Sequence, residues 1–350
     1  MKHLAHNGKN RRGSILIAVL GLIALLSVLM VSFIGEAVER IRYNGLLDRT
    51  NDLRERAYSG LETALAGIAQ TAEIDDGLRS QAQGWGEPLQ YAALTLFDDC
   101  TLDITCQDES ALLPLAIMSE EQLVTLFEEL DIPSGDAERM AIALLDWMDP
   151  NDTARINGMD GEDYEREPAP CVPSNAVPRS WEEFLLIRGF ADYFRNSDGT
   201  PSEAFDLFRQ SVSLHNESGV NINNASPFVI QVLSEICDFD EVQLLRELEG
   251  DDRQRGTMDD EIFDDETGID AQGDTDLLSY KAQLLRVRVV ALRGEARFSL
   301  DALVQHNSGT RSTSGGALST SSLKDDYKDF PSAPESALAY PFKIVQISEN

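Results

Sequence analysis

Between Arg11 and Glu36 the sequence reads RRGSILIAVLGLIALLSVLMVSFIGE, an apolar run with no ionised side chain inside it. A helix needs about 20 apolar residues to cross the hydrocarbon core, and Ser14 to Gly35 is long enough. Such a segment has to be buried in lipid or among other apolar helices. A secretory signal would have a shorter apolar region, about 7–15 residues, closed by small residues in an A-x-A-like pattern. No such pattern follows Met30, where the chain continues Val-Ser-Phe-Ile-Gly-Glu. Arg11-Arg12 also invites a twin-arginine reading, which the length of the apolar run opposes. Lys2, Lys9, Arg11 and Arg12 precede the run with no acid among them, so the amino end is expected in the cytoplasm and the bulk across the membrane.

Helical patterning continues past the membrane. Ile34, Val38, Ile41, Leu53, Ala57, Leu61, Ala64 and Ile68 recur at three- and four-residue steps with charged residues between them. One helix is expected from Ser14 to near Gln70, roughly 85 Å at 1.5 Å per residue. Gly35 or Asn44-Gly45 is where a bend is expected, since each glycine weakens a helix by about 1 kcal/mol relative to alanine.

A Gly preceded by basic residues, an apolar span directly after it and a continuing amphipathic helix resemble the amino terminus of type IV pilin-like proteins. The resemblance implies cleavage by a prepilin peptidase after Gly13, with Arg11 and Arg12 before the cut, and methylation of Ser14 as the first mature residue. Most members carry Glu at the fifth mature position, where this chain has Ala18. Among the pseudopilins of type II secretion, the protein K family lacks that Glu. A Glu in an apolar bundle is costly unless it meets a positive charge, such as the amino terminus of the next subunit up, and a subunit at the tip has no such neighbour.

Strand patterns fall at Tyr91–Phe97, Leu102–Cys106, Tyr280–Leu292, Ala296–Val304 and Phe342–Ser348, while Ser119–Asp149 and Ser180–Glu249 are dominated by helical patterns. The sheet is therefore expected to draw on two ends of the chain. The resemblance to protein K implies an α+β, type IV pilin-like fold: a long amino-terminal helix, an antiparallel sheet and a large all-α insertion. The expected divisions are a leader at 1–13, the span at 14–35, the rest of the helix and first strands at 36–110, the helical insertion at 111–275 and the remaining strands at 276–350. Helix starts are expected where Ser119 precedes Gln122, Ser180 precedes Glu183 and Asp238 precedes Glu241, and where Ser226 precedes Pro227.

The resemblance is most specific in residues 140–235. LLDWMDPND (Leu144–Asp152), the Gly161-Glu162-Asp163-Tyr164 element, Pro173-x-Asn175, WEEFLLIRG (Trp181–Gly189) and VNINNASP (Val220–Pro227) follow the protein K order. DESALLPL (Asp108–Leu115) departs from the family's usual Asp-Glu followed by Gly and Asn.

The formal charge is −32. Such a field repels a phosphate backbone, which counts against reading Leu185–Gly189 and Val220–Leu233 as helix-hairpin-helix elements of a nucleic-acid-binding protein. Calcium suits the acids better, since it takes six to eight oxygen ligands. Asp146, Asp149 and Asp152 stand at three-residue steps around a helix end closed by Pro150, and Asp160, Glu162 and Asp163 follow in a Gly-containing loop. They are the candidate ligands of a structural calcium ion, the alternative being a solvated acidic loop. The acidic run Asp251–Asp276 lacks apolar periodicity and is expected to be a mobile, solvated connection.

Cys100, Cys106, Cys171 and Cys237 allow three pairings. Cys100 and Cys106 would stand about 20 Å apart in one strand, too far for a bridge unless the chain turns back between them; Cys171 with Cys237, tying the loop to a later helix, is a candidate disulfide. No C-x-x-C or Cys/His spacing suggests zinc. No G-x-S-x-G, H-E-x-x-H or phosphate-binding glycine loop occurs, so no catalytic residue and no catalytic cofactor is assigned. The Ser-, Gly- and Thr-rich interval at about 306–338 reads as a flexible excursion between strands.

The resemblance implies a minor pseudopilin at the tip of the type II secretion pseudopilus. Its implied partners are the minor pseudopilins I and J, the major pseudopilin, the prepilin peptidase and the inner membrane. A tip subunit of a type IV pilus and an unprocessed, membrane-anchored, calcium-dependent binding protein are the alternatives.

Overall fold

A computed structural model describes residues 11–88, 96–150, 155–156, 158–159, 161–166, 171–257, 259–265, 268–306 and 341–350, with backbone alone at 11–15, 41–50 and 162–163. The expected strand at Tyr91–Phe97 and the interval at 306–338 fall almost wholly outside these residues.

Helix α1 spans Arg11–Ile74, 64 residues without interruption, about 96 Å of helix. Its apolar first part, Leu16–Arg40, has a mean hydropathy of 2.9 and buries nothing within the molecule. Farther along, Leu53, Ala57, Leu61, Ala64, Leu65, Ile68 and Ala72 form one buried stripe, because residues three and four apart share a helix face. Gly60 lies on that stripe where a Cβ would come 2.9 Å from Leu102 Cδ1 and 3.2 Å from Ile104 Cδ1. Glycine is what lets the helix approach the sheet this closely.

The sheet is antiparallel with order β1-β6-β7-β8, formed by Thr101–Asp108 (β1), Leu284–Arg293 (β6), Ala296–His306 (β7) and Phe342–Glu349 (β8). Alternating residues of β6 and β7, among them Leu285, Val287, Val289, Leu300, Ala302 and Val304, turn to α1 and are fully buried. Strand β8 is the edge strand. Its alternation allowed burial on both faces, but only Phe342 is buried, while Ile344 and Val345 are nearly half exposed. Helix α1 covers the neighbouring strands and reaches β8 through polar groups: Arg54 and Tyr58 both bond the carboxylate of Glu349. Val345 is the extra residue of a bulge opposite Leu303 and Val304.

Between β1 and β6 the chain makes a second body of helices: Glu120–Glu129 (α2), Ser134–Met148 (α3), Gly161–Arg166 (α4), Phe190–Phe194 (α5), Glu203–Ser211 (α6), Pro227–Cys237 (α7) and Glu241–Glu249 (α8). Phe127, Phe184, Phe190, Phe194 and Phe208 are fully buried and meet ring to ring at centroid distances of 5.0–6.2 Å. This part is not purely helical. Leu113–Pro114 (β2) pairs in parallel with Val212–Ser213 (β3), and Val220–Asn221 (β4) with Leu278–Ser279 (β5).

The capping chemistry agrees at two of four places. Ser119 and Gln122 form a reciprocal capping box, and the Ser226 hydroxyl accepts the N–H of Val229 with Pro227 in the first turn. Ser180 makes no side-chain cap, since Glu183 instead accepts the Arg179 N–H at 2.9 Å, one residue earlier. Asp238 ends α7 with φ 53°, and Asp240 caps α8 through the N–H of Gln243.

The acidic stretch 251–276 is also more tied down than its composition suggested. Asp259 accepts the N–H groups of Asp251 and Asp252, Phe263 is buried in the helical core, and the N–H groups of Gln272 and Gly273 bond the carbonyls of Asp238 and Cys237. Its apolar anchors are single residues, which leave no periodic trace.

Candidate functional site

Two features stand out: the exposed apolar half of α1, and the joint between two separate hydrophobic cores. One core gathers α1 and the sheet, from Leu53 to Phe342; the other gathers the helical part, from Leu113 to Leu277. Among the described residues they share no buried side chain.

In the first feature, Ala18 lies exposed on α1, as do the apolar side chains from Leu16 to Ile34. Arg11, Arg12, Gly13 and Ser14 form its first turn, in backbone only.

Within the helical part, the motifs noted in the sequence come together. Trp147 packs edge-on to Tyr164 with centroids 5.1 Å apart, and its indole N–H donates to Glu183 Oε1 at 2.8 Å. The backbone N–H of Arg188 donates to the Tyr164 hydroxyl at 3.3 Å, and burial pushes that phenol up to about 12. Residues from three motif segments thus lock one another.

Asp146 is buried beside them. Its carboxylate accepts the Arg155 guanidinium at 2.7 Å and the backbone N–H groups of Arg155 and Met159 at 3.1 and 3.2 Å. Arg155 also reaches Asp149 at 3.5 Å. A side chain at Gly158 would overlap the Asp146 carboxylate, so only glycine lets the loop close over it. Asp152 and Asp160 lie outside the described residues, as do the side chains of Glu162 and Asp163. Among the described residues no group of three or more His, Cys, Asp or Glu is placed to hold a metal ion. Asp146 is answered by an arginine that the spacing of acids did not bring to notice.

The candidate bridge between Cys171 and Cys237 is not formed. Cys237 ends α7 as a buried thiol, and burial, with the charge of Asp274 nearby, pushes it up to about 12. Cys106 is likewise raised by burial, so neither thiol has the thiolate character that would favour exchange.

The joint is polar. The chain passes between the cores twice, at 108–112 and at 280–284, and Ser110 ties the passages by accepting the N–H groups of Gln283 at 3.0 Å and Leu284 at 2.7 Å. Glu109 accepts Arg286 Nε at 2.9 Å and the Ser213 hydroxyl at 2.8 Å, and Arg286 continues to Asp301 at 3.0 Å. Asn216 donates to the carbonyl of Leu112 at 3.2 Å. Asp108 accepts the side-chain amides of Asn221 at 2.6 Å and Asn224 at 2.8 Å, and both asparagines also donate to the Arg79 carbonyl at 2.7 Å. Asp108–Leu115, the segment that departs from the family pattern, therefore contains this fastening.

Residues 111–195 match the family model described as type II secretion system (T2SS), protein K. Comparison with curated proteins gives no match. Among solved structures, a chain of the GspK–GspI–GspJ complex from the type 2 secretion system of enterotoxigenic Escherichia coli is similar with a TM-score of 0.57 at 13% identity, over 87% of this chain and 97% of that one. Residues 111–195 are thus similar to the protein K domain of type II secretion, in a chain whose α+β fold resembles that of one chain of that complex.

Proposed function

We propose that the chain is a minor pseudopilin of type II secretion, anchored in the inner membrane with its amino end in the cytoplasm and later built into the tip of a periplasmic pseudopilus. The observation that carries this reading is the single helix α1. Its exposed apolar half leads without a break into the stripe that packs on the sheet, beneath a body that contains the residues similar to the protein K domain. A lipid-buried segment rigidly continuous with a folded head can be withdrawn from the bilayer into a helical bundle without refolding the head.

Processing after Gly13, methylation of Ser14 and a part in pseudopilus initiation belong to the same proposal. So do partners equivalent to GspI and GspJ, the proteins named with GspK in the similar complex, together with the major pseudopilin. Ala18 fits a subunit with no neighbour above it. The role is mechanical rather than catalytic. Calcium at the 146–163 loop is also part of the proposal, and its ion would have to contend with the Arg155 guanidinium already on Asp146.

The test is amino-terminal sequencing of the mature protein from cells with and without the prepilin peptidase. A Ser14 start that depends on the peptidase is expected. A Met1 start in both would overturn the reading.

A further inference from the structure

We propose that Asp108 is a protonation-controlled latch that sets how firmly the helical body is held on the sheet.

The two cores meet through hydrogen bonds rather than shared apolar side chains, and bodies joined in that way move relative to one another by default. Asp108 joins the end of β1 to the helical body through one buried carboxylate. It ends β1 and accepts the Ser110 N–H at 2.9 Å, and its Oδ2 takes both Asn221 and Asn224 from the helical body. Those asparagines hold the Arg79 carbonyl, from the segment after α1, and Asn224 Oδ1 accepts the Gln81 N–H at 3.0 Å. Releasing Asp108 would remove the hydrogen bonds that join the end of β1 to Asn221 and Asn224, leaving the helical body on the contacts of Ser110, Glu109 and the Arg79 carbonyl and so more loosely held.

No cation pairs with this carboxyl among the described residues. Along its own chain the nearest titratable groups are the buried Cys106 thiol on β1 and Glu109 in the turn that follows, and Glu109 is matched by Arg286 of β6. The Arg79 guanidinium turns away to Asp264 and to the Asp75 carbonyl. Residues Ile222–Asn224 bring only amides, and Arg209, across the cleft, pairs with Asp206. A cavity of about 520 Å³, lined by Asp108, Gln81, Gln107, Trp181 and Asn224 among others, gives water and protons a route to the carboxyl.

Burial raises Asp108 to about 6, against the opposing pull of its hydrogen bonds to Asn224, Asn221 and Ser110. An opened joint would hydrate the carboxyl and return it toward its ordinary value of 3.8. The closed joint therefore binds the proton more tightly, and proton uptake favours closure. Firmer closure sets in as pH falls through about 6 and is complete below about 4. Between pH 7 and pH 5 the closing equilibrium should shift about tenfold. A protonated carboxyl keeps acceptor capacity for the amides that hold it.

The experiment uses the full chain in detergent, with a spin label on each body at the exposed positions Glu138 and Arg297. These are introduced through non-natural residues so that the cysteines stay untouched. The distance distribution is expected to narrow from pH 7 to pH 5 with a midpoint near 6. Asp108→Asn, permanently neutral, should remove that dependence. Asn224→Ala should broaden the distribution at both pH values and move the midpoint upward, since it removes a hydrogen bond that opposes the rise. A wild-type distribution unchanged between pH 7 and pH 5 would overturn the latch whatever the variants do. So would a folded Asp108→Asn chain that keeps the wild-type response.

Discussion

The hydroxyl oxygen of Ser110 sits 2.7 Å from the backbone nitrogen of Leu284, across the joint where the chain leaves and re-enters the sheet. With the Gln283 N–H on the same oxygen, one small side chain fastens two strands of connection. Ser110→Ala would leave two backbone donors without their acceptor in a buried place. Leaving a buried donor unsatisfied costs about 1–3 kcal/mol, so a loss of roughly 2 kcal/mol is expected. Chemical denaturation of the full chain in detergent reads it directly, and an unchanged midpoint would mean that water replaces the hydroxyl at no cost.

Gly60 carries a second prediction. Leu102 Cδ1 stands 2.9 Å from where a Cβ would be, so Gly60→Leu has to push α1 off β1 and β6. Overpacking of this sort costs about 1–3 kcal/mol, partly offset by the better helix propensity of leucine. Lower thermal stability with unchanged helix content in far-ultraviolet circular dichroism is the expected signature. A variant as stable as the parent would show that the helix and sheet are not in tight register there.

How much of this was legible beforehand follows the physics of each feature. The buried stripe from Leu53 to Ile68 was visible because helical burial repeats every three or four residues, and the return of strands after Tyr280 was visible because β6 and β7 alternate. Ser119 and Ser226 were readable as caps because capping acts over three residues. The displacement of caps at Ser180 and Asp238 was not, because a left-handed residue or a neighbouring N–H can move a helix start without changing the pattern. The joint was hidden for a deeper reason. Asp108, Ser110, Asn224 and Leu284 are united by contacts more than a hundred residues apart in sequence, and no local period records such a meeting. VNINNASP carries the resemblance as a string of residue types, and nothing in that string marks its asparagine amides as holding Asp108 and the Arg79 carbonyl. Arg155 is not legible as the partner of Asp146, because the three-residue spacing of the acids does not mark a cation nine residues on.

That arginine allows the calcium proposal to be tested. Arg155 is the cation on a carboxylate that is almost wholly buried, while its own side chain is partly exposed. Breaking a fully buried pair costs about 3–5 kcal/mol, and exposure of one partner lowers the expectation for Arg155→Ala to about 2 kcal/mol. In the presence of a chelator the variant should therefore melt below the parent. If an ion can be held by Asp146, Asp149 and the acids of the following loop, removing the guanidinium clears its place, and added calcium should raise the melting temperature of the variant more than that of the parent. Magnesium, smaller and reluctant to give up its water, should do less at equal concentration. A variant that is destabilised but indifferent to calcium would leave Arg155 as the sole counter-charge of Asp146 and end the calcium proposal at that residue.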